Sequence, residues 1–242
     1  ATVDRFVQPA QGRIPAILTQ RIPAENREAI AEKVNTAELG YRMKLSTSLS
    51  FDVAAFHSTY SDLETSELGK TRLVLAQPAP YVVQTITNSH KLSARSRGLE
   101  LSAEYQVTPW WRLQPSYSYL KVKALPGTTD PANIASAAIL ESTDPHHQVS
   151  IRSSMTFNQR RQFDIFLRYV SELRGSGPSE VRIPAYTELD VRYAWRLSNG
   201  LALSVGGQNL LKRRHAEFTP DLLPSEAVDI ERSFYFKAKW QY

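Results

Sequence analysis

The stretch YTELDVRYAWRL (186–197), with LALSVGGQNLL (201–211) and IERSFYFKAKWQY (230–242) after it, decides how the chain folds. In the first, Leu189, Val191, Tyr193, Trp195 and Leu197 fall on one side of an extended chain. Asp190, Arg192, Ala194 and Arg196 fall on the other. In the last, Phe234, Phe236, Ala238, Trp240 and Tyr242 alternate with Ser233, Tyr235, Lys237, Lys239 and Gln241. Successive side chains of a strand point to opposite faces, so a period of two marks strands whose faces meet unlike surroundings.

The alternation recurs upstream: Leu39, Tyr41, Met43 and Leu45; Leu49, Phe51, Val53 and Ala55, with Phe56 and Tyr60 opposite; Leu99, Leu101, Ala103, Tyr105 and Val107 against Glu100, Ser102, Glu104 and Gln106. Trp111, Leu113, Pro115, Tyr117 and Tyr119 oppose Trp110, Arg112, Gln114, Ser116 and Ser118, although Pro115 is unfavourable inside a ladder. Val149 to Phe157 and Phe163 to Tyr169 repeat the pattern. The expectation is an all-β protein of about ten antiparallel strands, at 1–8, 37–46, 49–65, 81–107, 110–123, 146–158, 161–173, 184–197, 200–211 and 229–242. Its connections fall into two populations. Those at 46–48, 108–109, 158–160 and 198–200 are tight, whereas 9–36, 66–80, 124–145, 174–183 and 212–228 read as long polar loops. Alternating short and long connections put every long loop at one end of the sheet, as in outer-membrane barrels.

Composition narrows the class. The 242 residues are 42% hydrophobic with a mean hydropathy of -0.36, and no apolar run is long enough for a membrane-crossing helix. A transmembrane β-barrel stays open, because only every second residue must face lipid. The absence of cysteine removes disulfides and thiolate metal sites and fits an exported bacterial protein. A net charge of +5 without a concentrated basic run gives no nucleic-acid footprint. Residues 1–20 carry no visible signal peptide, which reads as a mature segment or a missing beginning.

Strand length and aromatic placement favour a membrane wall over a soluble sandwich. Several expected strands exceed the roughly five or six residues usual in soluble sheets. Trp110, Trp111, Trp195, Trp240 and Tyr242 lie near strand ends, where an interfacial girdle would sit. Charge on the opposite face, as in Glu100/Glu104 and Asp190/Arg192, suits either a lumen or a solvated sheet surface.

The same residues carry a resemblance. IPAYTELDVRYAWRL, LALSVGGQNLL and the IERSFYFKAKWQY ending look like the C-terminal barrel region of the TonB-dependent receptors of Gram-negative outer membranes. AELGYRMKL (37–45), RGLELSAEYQVTPWWRLQPSYSYL (97–120) and HHQVSIRSSMTFNQRRQFDIFLRYV (146–170) resemble earlier strands of that barrel, in order. Gln208, Asn209, Leu210 and Leu211, followed by the Trp240 and Tyr242 end, are its most telling spacing. The resemblance implies a barrel of about 22 strands of which residues 1–242 supply roughly the last ten. It places the tight turns in the periplasm and the long loops outside the cell. It implies TonB-energised import of a scarce ligand, typically a ferric siderophore, with outer-membrane lipid, a plug domain and the TonB complex as partners. No plug or TonB-contacting box is found in the sequence, so a fragment or partial gene product is expected. A passive porin-like barrel and a soluble all-β binding domain are the alternatives.

No catalytic constellation is present. The histidines are scattered, the adjacent His146 and His147 read as loop residues, and no phosphate cradle or nucleophile motif appears. No enzyme, metal site or cofactor is expected. On the assigned facing, Glu100, Glu104, Arg112, Arg152, Asp164, Arg168, Asp190, Arg192 and Arg196 line the lumen, chiefly as wall-to-wall ion pairs. Asn209 reads as a structural tie between a strand and a loop. Gly206 and Gly207 suggest a close backbone approach or a local bulge. Ligand capture is expected in the loops 66–80, 124–145 and 212–228, where Phe218 and the nearby Tyr81 are the few aromatic residues.

Overall fold

A computed structural model of the chain describes residues 4–8, 16–22, 30–75, 80–174, 182–197, 200–217 and 228–240. The first elements are β1 (Asp4–Gln8), β2 (Ala16–Ile22), β3 (Lys33–Lys44), β4 (Leu49–Val74), β5 (Tyr81–Thr108) and β6 (Trp111–Pro126). A helix, α1 (Pro131–Ser142), leads into β7 (His147–Phe157), β8 (Arg161–Val170), β9 (Leu173–Arg174) and β10 (Arg182–Ile183). The chain closes with β11 (Tyr186–Arg196), β12 (Leu201–Gln208), β13 (Arg214–His215), β14 (Ile230–Glu231) and β15 (Ser233–Trp240). One sheet runs β1-β2-β5-β6-β7-β8-β11-β12-β15, with β3 and β4 joined to it through β4 and β5; β9–β10 and β13–β14 are separate short ladders.

Several expectations are corrected. The sheet is mostly antiparallel, but β2 runs parallel to β5, from Ala16↔Tyr81 to Ile22↔Thr87. The 9–36 loop contains β2 and the start of β3, and the 66–80 loop is largely the end of β4. The 124–145 loop holds the end of β6 and all of α1. Asp130 caps this helix, accepting the Ala132 amide at 2.8 Å, and Pro131 starts it without wasting a donor. The long connections 174–183 and 212–228 are pinned by β9–β10 and β13–β14. Pro115 sits inside β6, opposite Ile151 of β7.

The chain divides into two compact units. The first comprises Ala1–Thr36, Ser58–Ser96 and Val122–Glu141; the second comprises Ala37–His57, Arg97–Lys121 and Ser142–Tyr242. In the first, Leu92, Ala124 and Ala137 are buried together, with Leu63 and Leu140 packed against them. Polar ties hold α1 there: Asn133, fully buried, donates to Thr65 Oγ1 at 3.0 Å, and Thr65 meets Ser89 at 2.8 Å. Asp130 also accepts the Leu68 amide, and Glu141 accepts the Ala124 amide at 2.8 Å. Gly127 brings its backbone onto Lys91, its amide 2.7 Å from that carbonyl; a Cβ there would lie 2.3 Å from the oxygen.

The second unit is a sheet with tight turns along one end. Leu45 closes on Leu49 and Leu197 on Leu201, each through a backbone hydrogen bond of 2.9 Å, while Thr156 N bonds to Trp110 O at 2.7 Å across the neighbouring β6 and β7. Between β7 and β8, Asn158 and Gln159 both adopt left-handed φ, 51° and 53°, and Arg160 N bonds to Phe157 O. Two successive positive φ values match the right-handed twist of a hairpin. Side-chain contacts fix the two faces. On the apolar face, Trp111 Nε1 donates to Ser153, Trp110 lies 5.2 Å from Phe157, and Tyr117 meets His147 Nδ1 at 2.9 Å. His147 is therefore a strand residue with a partner, not a loop residue. On the polar face, Ser116 and Ser150 meet at 2.7 Å.

Candidate functional site

The polar face of the second unit gathers most of the sequence-selected residues. Antiparallel register places Arg192 opposite Asp164 and Arg168 opposite Glu188, because β8 and β11 pair from Tyr186↔Val170 to Trp195↔Arg161. Arg192 Nη1 lies 2.9 Å from Asp164, and Arg112 lies 3.5 Å from Glu104. Both pairs are partly exposed, so each contributes on the order of 0.2–1 kcal/mol. The Arg152 guanidinium covers the Phe166 ring at 5.4 Å. Arg112, Arg152, Asp164 and Arg192 line a hollow of about 390 Å³ together with Asp190 and Tyr235. Glu100 borders a second, of about 650 Å³, together with Arg42 and Asp52, which are themselves ion-paired. Arg196 stands at the tight-turn end, its amide bonded to Arg160 O.

Asp190 is taken up locally: its Oδ1 accepts the amide of Asn209 at 2.9 Å. Asn209 is 1% exposed, has a left-handed φ of 51°, and donates from Nδ2 to Ile230 O. It thus ends β12 and ties that end both to β11 and to the returning chain. Leu210 N bonds to Leu189 O, Gln208 Oε1 accepts from Ser233, and Leu211 is half exposed. Gly206 pairs with Tyr235, and a Cβ on it would sit 2.4 Å from the tyrosine ring. The ring lies flat where any side chain would stand. Trp240 pairs with Leu201; Tyr242 and Phe218 lie outside the described residues.

Arg168 has partners that the sequence did not single out. Its guanidinium meets Glu188 at 2.7 Å and Glu217 at 2.6 Å and lies over the Tyr186 ring at 5.5 Å. His215, 8% exposed, stacks on Tyr186 at 4.3 Å and reaches Glu217 through Nε2 at 3.0 Å. Its buried Nδ1 has no partner among the described residues. Burial opposes ionisation of Glu217, but the His215 hydrogen bond and the Arg168 charge outweigh it and hold the carboxyl below its ordinary range. The segment 213–217 is thereby fastened to β8 and β11. Glu188 was visible as the residue two before Asp190; His215 to Phe218 belong to the resemblance to the receptor barrels, but nothing in their spacing pointed to Arg168.

Among the described residues no three His, Cys, Asp or Glu side chains gather as a metal site. The arrangement is a charged, partly exposed sheet face.

The sheet is long-stranded and mostly antiparallel, apolar on one face and charged on the other. A family model, TonB dependent receptor-like, beta-barrel, matches residues 21–210. The chain belongs to this family. The metal-pseudopaline receptor CntO of Pseudomonas aeruginosa is 29% identical over 175 residues, which cover 70% of this chain and 22% of that receptor. The chain thus spans about a fifth of the length of the curated relatives it matches. Among solved structures, the ferric yersiniabactin uptake receptor FyuA from Yersinia pestis aligns over 99% of this chain and 34% of its own, with TM-score 0.63 and 15% identity. The copper transporter OprC aligns over 87% of this chain and 32% of its own, with TM-score 0.61 and 17% identity. At these identities the structural likeness speaks for the fold.

Proposed function

We propose that residues 1–242 form the C-terminal part of an outer-membrane receptor barrel that imports a scarce metal or metal chelate, a ferric siderophore above all, with energy delivered through TonB. The observation that carries the reading is the apolar face of the second unit. Tyr105, Ile151, Leu167, Tyr169, Trp195 and Val205 are each 36–50% exposed there, on strands whose other face carries Arg112, Arg152 and Arg192. A soluble monomer seldom leaves so wide an apolar surface to water. Lipid against that face and a polar lumen on the other account for both.

On this reading the chain contributes about ten strands of a barrel of about 22. The tight turns are periplasmic, and the connections 9–36, 66–80, 124–145, 174–183 and 212–228 lie on the extracellular side. Glu100, Glu104, Arg112, Arg152, Asp164, Arg168, Asp190, Arg192 and Arg196 face the lumen and the plug domain. The names of the relatives support a metal-bearing ligand. The test is folding that requires detergent, read as heat-modifiable migration on a gel, joined to uptake of radiolabelled ferric siderophores and free copper in cells carrying or lacking the gene. Folding as a monomer in plain buffer would overturn the barrel reading. A folded barrel with no energy-dependent uptake would overturn the receptor reading.

A further inference from the structure

Side chains from two elements converge on the carboxylate of Glu217, over a floor supplied by a third. Arg168 of β8 donates to its Oε1 through Nη2 at 2.6 Å, and His215 of β13 reaches the same oxygen through Nε2 at 3.0 Å. Both donors are held in place by groups other than Glu217. Glu188 Oε2 accepts from Arg168 Nε at 3.0 Å and from Nη2 at 2.7 Å, and the guanidinium lies 5.5 Å over the Tyr186 ring. His215 stacks on that same ring at 4.3 Å. An ionised carboxylate only accepts hydrogen bonds, so Nε2 carries the imidazole proton. The two donors therefore stay aimed at one point when Glu217 leaves it. His215 and Glu188 are enclosed, whereas the Arg168 and Glu217 side chains are each more than a quarter exposed, so one side of this cradle is open.

Convergent, pre-set donors over an aromatic floor are how a binding site fixes an anionic group. Glu217 lies beyond the β13–β14 ladder, whose pairs are Arg214↔Glu231 and His215↔Ile230, and can depart without breaking either. Exchanging one carboxylate for another also leaves the charge of the cradle unchanged. We propose that Arg168, Tyr186 and His215 form a recognition site for the carboxylate of a soluble ligand, kept closed by Glu217 as an internal stand-in. A tethered group competes at an effective concentration on the order of millimolar, so a lone carboxylate competes poorly and a ligand with further contacts competes well. Arrival of such a ligand frees the chain after His215 from β8. That the ligand is the imported chelate rests on the receptor reading; the carboxylate site itself does not.

The test titrates the full chain, folded in detergent, with isotope-labelled acetate and with acetamide, its uncharged analogue of the same shape. Binding is read by nuclear magnetic resonance. Acetate should bind the wild type weakly and acetamide not at all. Glu217→Ala, which removes the stand-in, should tighten acetate binding by about tenfold. Adding Arg168→Gln to that variant should abolish the gain. Glu217→Gln keeps the shape but loosens the hold on Arg168, so it should tighten acetate binding by less. It serves in place of the alanine variant should that one misfold, which heat-modifiable migration reports. Acetate affinity unchanged by both Glu217 substitutions, or acetamide bound as well as acetate, would overturn the site and leave the receptor reading intact. A folded chain with this acetate response but no energy-dependent uptake would overturn the receptor reading and leave the site standing.

Discussion

The two units bury their side chains on opposite plans. The first encloses Leu92, Ala124 and Ala137 at 3%, 5% and 6% exposure and links the buried Thr65, Ser89 and Asn133 side chains by hydrogen bonds. The second leaves Tyr105, Ile151, Leu167 and Trp195 more than a third exposed and spends its hydrogen bonds on the ladder and the charged face. The first has an enclosed interior. The second is organised as a wall, and the same alternation that would make a soluble sheet's core here makes an outer surface. What separates the two is where apolar side chains go, not how many there are.

This contrast can be broken by substitution. The largest effect is expected for Leu92→Ala, which empties an enclosed position and should cost about 2–5 kcal/mol. Hydrogen exchange should show the loss in residues around α1 and leave the β7–β8 hairpin protected. Equal loss in both would mean that the two units unfold together.

Next, an arginine at Ile151, on the apolar face, should cost about 2–4 kcal/mol in a bilayer. The same change at Leu73 of the first unit, 58% exposed, should stay within about 0.5 kcal/mol. Urea unfolding in vesicles measures both, and matching costs would remove the distinction between the two surfaces.

Arg168→Met tests the charged face. It strands Glu188, 12% exposed at its side chain, and releases Glu217, at a cost of about 1–3 kcal/mol. Protease cleavage near 213–217 should rise while the β11–β12 ladder persists. Acidification should act in the same direction. The folded-state pKa of Glu217 is depressed below the ordinary glutamate value of 4.5, so its contribution is present above that value and disappears as pH falls through the lowered one. Exchange at 213–217 that is unchanged between pH 7 and pH 3 would exclude the carboxylate as the fastening group.

The smallest expected effect is a gain. Gln159 holds a left-handed φ of 53° in the β7–β8 turn, and Gln159→Gly should stabilise the hairpin by about 1 kcal/mol. A lowered urea midpoint would contradict the turn geometry.

Much of the wall was legible because its signal is local. Ile151, Ser153 and Met155 report their face through their spacing alone, and the observed β7 and β8 differ from expectation only at their ends. The helix was not legible in this way. Its apolar residues are spread around it, with Ile134 48% exposed while Ala137 is buried. No single stripe set it apart from a polar loop. The ends of β4 and β6 were shortened for a related reason, since Gly69 and Pro126 look like breakers until neighbouring strands supply their hydrogen bonds.

The charged residues divide along the same line. That Arg112, Arg152, Arg168 and Arg192 share a face follows from period two. Their partners do not. Arg168 meets Glu188 across 20 residues and Glu217 across 49, and the second contact depends on a connection that folds back over β11. The sequence by itself determined the alternation, the turn positions and the membership of a receptor-barrel family, because strand pleat and turn chemistry are properties of neighbouring residues. Only the tertiary structure decided that Tyr186, His215 and Glu217 of the C-terminal stretch form a latch with Arg168 of β8 at its long-connection end, and that Tyr235 lies flat over Gly206. Those contacts join residues that chain spacing leaves independent, so only the register of the assembled sheet brings them together.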